Sequence, residues 1–262
     1  MRKKVGTGVA DTRTDPRSAA SSRTPLRRIV FGLGAAFVFL VLLGLGTWQV
    51  QRRAWKLDLI ARTDARVHAA PVEAPGPAAW PGIGPDDAYR HVRLSGQFLN
   101  GRETLVQALT EYGAGFWVLT PLRRSDGTLV LVNRGFVPGS RRDPASREAG
   151  QVAGPVSVTG LLRLTEPGGA FLRANDPAQG RWYSRDVAAI AAARGLSDIA
   201  PYFVDADATP NPGGLPIGGL TVISFPNNHL VYAITWYGLA AMLGGFFVYR
   251  RFGRRGDSSF GE

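Results

Sequence analysis

The chain has 262 residues, enough for one sizeable domain plus helices that cross a membrane, and it has no cysteine, which excludes disulfides, zinc–thiolate sites and cysteine nucleophiles. Its net charge is +11, yet residues 1–28 hold eight Lys/Arg against two Asp, and residues 250–262 hold four Arg against one Asp and one Glu, so the stretch between carries 19 basic and 16 acidic residues. Charge gathered on two tails beside apolar runs encodes membrane orientation; a nucleic-acid footprint would sit on the folded part, so no nucleic-acid partner is expected.

Residues 1–28 form a basic tail whose first 25 residues, rich in Ser, Thr, Arg and Gly with Pro16 and Pro25, read as disordered. Ile29 to Trp48 is a run of twenty residues without a charge, and at 1.5 Å per residue it covers roughly the 30 Å of a bilayer core. It exceeds a signal-peptide apolar region, and no small-x-small cleavage site follows, so it reads as an uncleaved anchor. The helix is expected to continue through Gln49–Ala70, because no Gly or Pro interrupts it before Pro71. Trp48 and Trp55, seven apart, suit a membrane interface.

Residues 71–85 hold five prolines and three glycines and read as a linker or long loop. From Tyr89 onward short strand-like runs dominate: Tyr89–Leu99, Glu103–Ala108, Phe116–Leu122, Thr128–Val132, Val156–Arg163, Tyr202–Asp205 and Leu220–Phe225. Ser125-Asp126-Gly127 is a hairpin signal. Gly135 is expected to bend the chain at the end of the fourth run, beside an Arg134 that is solvated, paired, or available to a carboxylate. One helix interrupts the strands, with Ser184 as N-cap, Asp186 in the first turn and Gly195 at its stop. The second span, Leu230 to Tyr249, is again twenty residues without a charge. Small residues four apart, Gly32 with Ala36, Ala240 with Gly244 and Ala241 with Gly245, favour the two spans packing as a pair.

The expected fold is therefore two transmembrane α-helices and an extracytoplasmic α+β domain dominated by an antiparallel sheet, barrel- or sandwich-like. The expected boundaries are a tail over 1–28, a span over 29–48, the domain over 49–228, a span over 229–249 and a tail over 250–262. Both tails are expected to be cytoplasmic. Asp11 and Asp15 in the first tail speak against a mitochondrial presequence and for a bacterial plasma membrane.

No phosphate loop, HExxH, GxSxG or paired His/carboxylate spacing occurs, so no catalytic residue is assigned and no enzymatic activity is expected. His68 and His91 read as solvated. His229 differs: it follows Pro226-Asn227-Asn228 at the mouth of the second span, where either asparagine can cap the helix. Tyr232 and Trp236 follow at i+3 and i+7 on the same face, at the level of Trp48 in the first span. A neutral imidazole on an aromatic-lined helix can ligate a haem iron, making His229 the metal-ligand candidate; simple interfacial anchoring of all three residues is the alternative.

An ordered set of short motifs points further. It comprises Gly46-Thr47-Trp48-Gln49 with Arg52, Gly115-Phe116-Trp117-Val118 before Thr120-Pro121-Leu122, and Asn133-Arg134-Gly135-Phe136-Val137-Pro138. Gly160-Leu161-Leu162-Arg163 with Glu166-Pro167, Trp182-Tyr183 with Arg185-Asp186, and Pro201-Tyr202-Phe203 with Asp205 follow, and Asn227-Asn228-His229-Leu230 with Tyr232-Ala233 and Thr235-Trp236 completes it. In this the chain resembles the surfeit locus protein 1 family of cytochrome c oxidase assembly proteins. The resemblance implies a factor that binds haem a and aids its insertion or stabilisation in the oxidase catalytic subunit. It also implies haem a synthase as donor, membrane lipid as surroundings, His229 as the iron ligand, and Trp236 as a cofactor-binding residue, with Tyr232 and Trp48 beside it. A scaffold for oxidase assembly with no cofactor of its own is the rival reading.

Overall fold

The computed structural model describes residues 23–170, 173–223 and 225–252. The disorder expected over most of the first tail, and the last residues of the second, lie outside them. Two compact units emerge: Met1–Leu57 with Pro226–Glu262, and Asp58–Phe225.

The first unit is built on two helices. Helix α1 runs unbroken over Arg23–His68, 46 residues, so at 1.5 Å per residue it is about 70 Å long, more than twice a bilayer core. Its continuation past Trp48 follows the sequence expectation, and its last residues belong to the second unit. The other helix of this unit covers His229–Phe252. Both are long and apolar enough to cross a membrane, and almost none of their apolar windows is buried by protein, unlike the core helix of a soluble fold.

The second unit is a seven-stranded mixed sheet. Its strands are β1 (Val72–Glu73), β2 (His91–Phe98), β3 (Thr104–Thr110), β4 (Gly113–Arg123), β5 (Leu129–Pro138), β6 (Pro155–Leu164) and β7 (Ile199–Ala206). The order is β1-β2-β6-β7-β5-β4-β3, and a further antiparallel pairing of β2 with β4 closes β2, β6, β7, β5 and β4 into a barrel. Gly96 permits that seam, since a Cβ there would lie 2.2 Å from the Arg123 carbonyl oxygen. Most pairings are antiparallel; β1–β2 and β5–β7 are parallel.

Side-chain alternation builds two cores. Val92, Leu94, Leu122, Val130, Val132 and Val204 fill one, closed by Phe98 and Tyr202. Leu119, Leu131 and Phe203, of opposite parity on the same strands, pack under Trp182 and the helix α2 (Val187–Arg194) in the other. Strand β5 is thus covered on both faces, which is why its first residues, Leu129 to Val132, read as a continuous apolar run. Burial pushes the Tyr202 phenol up to about 12, and its hydroxyl donates to the Pro75 carbonyl at 2.6 Å. At the hairpin, the Thr128 hydroxyl and amide hold the Asp126 carboxyl below its ordinary range.

Several expectations change. Leu220–Phe225 forms no strand among its described residues; Ile217 instead makes a two-bond bridge with Phe136. The proline-rich segment is not a free linker: Val72 and Glu73 pair with β2, and Trp80 packs on the core. The cap of α2 is Asp186, whose carboxylate accepts from the Ala189 amide, while the Ser184 hydroxyl accepts from Gly169 and Asn175. Gly195 does end that helix in the left-handed region, at φ 61°. Gly135 does not end β5 but sits inside it: Arg134 and Gly135 together face Val118, a β-bulge. With φ at +126° and a virtual Cβ 2.0 Å from the Ile217 oxygen, only glycine fits.

Candidate functional site

In the first unit the final helix, α3 (His229–Phe252), lies against α1 along one stripe. Ala233 and Ala240 are buried there, Gly244 faces Phe39, and the Phe31 and Phe247 rings stand 6.2 Å apart. The expected pairing of the spans through small residues holds for Ala240 and Gly244, whereas Gly32, Ala36, Ala241 and Gly245 are exposed, Gly32 and Ala36 bordering a cleft beside the seam. Gly46 gives the closest approach; a Cβ there would sit 2.7 Å from the Tyr237 ring. The Thr47 hydroxyl donates to the Leu43 carbonyl, so the Tyr237 hydroxyl, 3.0 Å away, is the donor to Thr47.

His229 continues this stripe one turn before Ala233. Its Nδ1 lies 2.7 Å from Gln49 Oε1. With the amide oxygen as acceptor, Nδ1 carries the proton and the lone pair is left on Nε2. A polar partner that fixes the tautomer and ring plane in this way is what orients metal-binding histidines. The residues present fit a haem in this respect: His229 Nε2 would hold its iron. Tyr232 is exposed and Trp236 half-buried on the same helix, and Trp48, next to Gln49, is exposed. The asparagine cap takes a different form from that expected: Asn227 Oδ1 is buried without a partner, and the Asn228 carbonyl accepts from the Tyr232 amide. In the sequence Thr47 and Gln49 stand only as part of the Gly46–Gln49 motif, with no role of their own, and Tyr237 carries no signal.

The other two histidines are tied to backbone. His68 Nδ1 lies 2.9 Å from the Asp64 oxygen and His91 Nδ1 2.7 Å from the Ala69 oxygen, so His91 is not merely solvated. No group of three or more His, Asp or Glu able to hold a metal occurs among the described residues.

The second unit holds a buried charge cluster that sequence reading missed. Asp205 on β7 accepts from Asn133, Arg163, Arg185 and Thr221, at 2.8 to 3.0 Å. Glu166 binds the other side of Arg185. Burial alone pulls the Arg185 guanidinium down, but Asp205 and Glu166 outweigh it and leave it raised. Two cations and two carboxylates satisfy one another here, so the cluster ties strands together rather than offering a site. Arg134 is neither solvated nor ion-paired; its Nη2 donates to the Gly150 carbonyl and Asn211 Oδ1.

Comparison with known proteins agrees with the motifs. The family model described as "SURF1 family" matches residues 36–241. Surfeit locus protein 1 of Rattus norvegicus is 40% identical over 81% of this chain and 72% of its own length. The Homo sapiens protein of that name is 40% identical over 76% and 70%, and a SURF1-like protein of Monosiga brevicollis 39% identical over 84% and 87%. With the match running from the first span through the His229 helix, the chain belongs to the SURF1 family, a family of cytochrome oxidase assembly factors.

Proposed function

We propose that this chain binds haem a through His229 and serves its insertion into, or stabilisation in, the catalytic subunit of a haem–copper cytochrome c oxidase, with haem a synthase as donor. One observation carries the reading: the Gln49 carbonyl 2.7 Å from His229 Nδ1, which leaves Nε2 as the ligating nitrogen. His229 Nε2 would hold the haem iron, and the bound haem would supply a metal that takes a neutral imidazole. Gln49 fixes the tautomer, and Trp236, Tyr232 and Trp48 offer apolar faces beside the ring. A single nitrogen ligand on the first turn of a helix, beside the exposed Tyr232 and Trp48, suits a cargo that must leave again.

The test is the full chain purified from cells that make haem a. The wild type is expected to show a haem a spectrum, and His229→Ala to lose most of it with the protein otherwise intact. A colourless wild type, or equal haem in His229→Ala, would leave the scaffold reading in its place.

We further place both basic tails in the cytoplasm of a bacterium, with residues 58–225 on the outer side of its plasma membrane. Arg27 and Arg28 before the first span and Arg250 and Arg251 after the second support this. Green fluorescent protein fused after Glu262 should fluoresce, and alkaline phosphatase fused there should be inactive; the opposite pair reverses the orientation.

A further inference from the structure

Arg134 is a buried cation without a counter-ion. It is 1% exposed, and its two bonds both leave from Nη2, to Gly150 and Asn211. Nε and Nη1, carrying three of the five guanidinium N–H groups, have no acceptor among the described residues. The guanidinium carbon lies 4.6 Å over the Phe98 ring, so one face is covered by π-density. The nearest carboxylate that acts on it, Glu103, is already held by Arg147 in a buried pair. Counted locally, two guanidinium groups share one carboxylate. Burial pulls the Arg134 pKa down to about 10, which leaves it charged at neutral pH. An unpaired buried charge costs several kcal/mol unless something answers it.

Arg134 is among the residues that line a cleft of about 330 Å³ between the first half of β6 and the Asp207–Pro212 loop. The walls near it are mostly apolar, with Phe98, Val132, Val156, Val158 and Pro210 among them. Thr159 and Thr209 add hydroxyls, and Asp207 adds one carboxylate, whose Oδ1 accepts from the Thr209 amide. A volume at the small end of ligand sites, apolar residues in the walls and a single cation among the lining residues define the guest. Because Asp207 opposes a dianion, the fit is to a monoanion rather than a phosphate.

We propose that this cleft is a binding site for a small carboxylate on a branched apolar body, held by Arg134, either as a free acid or as the carboxylate end of a peptide chain. The β-bulge sets Arg134 at this point of the fold: by making Arg134 and Gly135 share one partner, it breaks the regular pairing of β5 beside the cleft.

The experiment uses the full chain in detergent micelles and saturation-transfer NMR with isovalerate, its neutral amide isovaleramide, and N-acetyl-leucine. Isovalerate is expected to bind and isovaleramide to bind at least about tenfold more weakly, since charged hydrogen bonds are lost. Arg134→Met, which keeps the apolar stem, should abolish the signal. Thr209→Trp fills the cleft from an exposed position and should abolish it with Arg134 in place. Asp207→Asn, which keeps the acceptor for Thr209, should tighten isovalerate several-fold, a gain that misfolding cannot produce. Binding of N-acetyl-leucine as well as or better than isovalerate identifies a chain end as the guest; isovalerate alone identifies a free acid. Equal binding of acid and amide, indifference to Arg134→Met and Thr209→Trp, or no binding by the wild type overturns the proposal and assigns the open donors to water.

Discussion

Asp205→Ala is expected to destabilise the sheet unit by about 3 kcal/mol or more, the range for removing one partner from a buried ion pair. The Asp205 side chain is 3% exposed, and those of Arg163 and Arg185 are 17% and 14% exposed, so neither cation can recover full hydration by a simple rotation. Arg185 would keep Glu166, but Arg163 would keep only its longer contact to Glu166, at 3.5 Å. The loss also reaches across the fold, because the four donors come from β5, β6, the segment before α2 and the segment after β7. For a unit of this size the melting temperature should fall by roughly 6–12 °C, read by thermal denaturation of the full chain in detergent. Arg93→Ala is the contrasting case. It breaks a pair with Glu73 in which both side chains are more than half exposed, and such a pair contributes about 0–1 kcal/mol. Similar melting of the two variants would show that the Asp205 cluster does not hold the sheet.

The parts of the fold that could be read from sequence are those set by local physics. A bilayer requires about twenty apolar residues whatever surrounds them, so both spans were visible. Strands β2 to β7 followed from apolar patterning, and the Asp126-Gly127 turn from its residue types. The misses are all cases where a distant partner decided between local options. Leu220 to Ile223 has strand-like composition, but the chain makes its ladder contact upstream of it, where Ile217 meets Phe136. Asp186 and Ser184 are both good caps, and Asn175 and Gly169 claim Ser184. Gly135 looks like a terminator in sequence; it is a bulge because Val118 on another strand is one residue short. The site divides in the same way. His229 stood out as a polar residue opening an apolar helix, but Gln49, its partner, is 180 residues away, and only the packing of α1 on α3 joins them.

That packing makes Gly46 a test of the joint. Gly46→Leu places a branched side chain where even a Cβ would lie 2.7 Å from Tyr237. The Tyr237 ring must move, and its bond to the Thr47 hydroxyl goes with it. Within a bilayer no hydrophobic effect draws the helices back together; close approach at small residues and a few polar contacts supply the association. Gln49, three residues along α1 from Gly46, is then drawn away from His229, and the imidazole loses the group that fixes its tautomer and plane. The expected result is a haem content close to that of His229→Ala, even though no ligating atom has been changed. Melting of the sheet unit should stay within about 2 °C of the wild type, because the substitution removes none of its buried contacts. Gly34→Leu supplies the control: nothing lies within 4 Å of a Cβ at Gly34, so it adds the same bulk to the same helix and should retain haem. If Gly46→Leu keeps its haem, the Gln49–His229 contact does not position the ligand. If Gly34→Leu loses it as well, helix bulk in general is responsible and the stripe is not. Loss in Gly46→Leu alone ties ligand geometry to one close contact between the two spans.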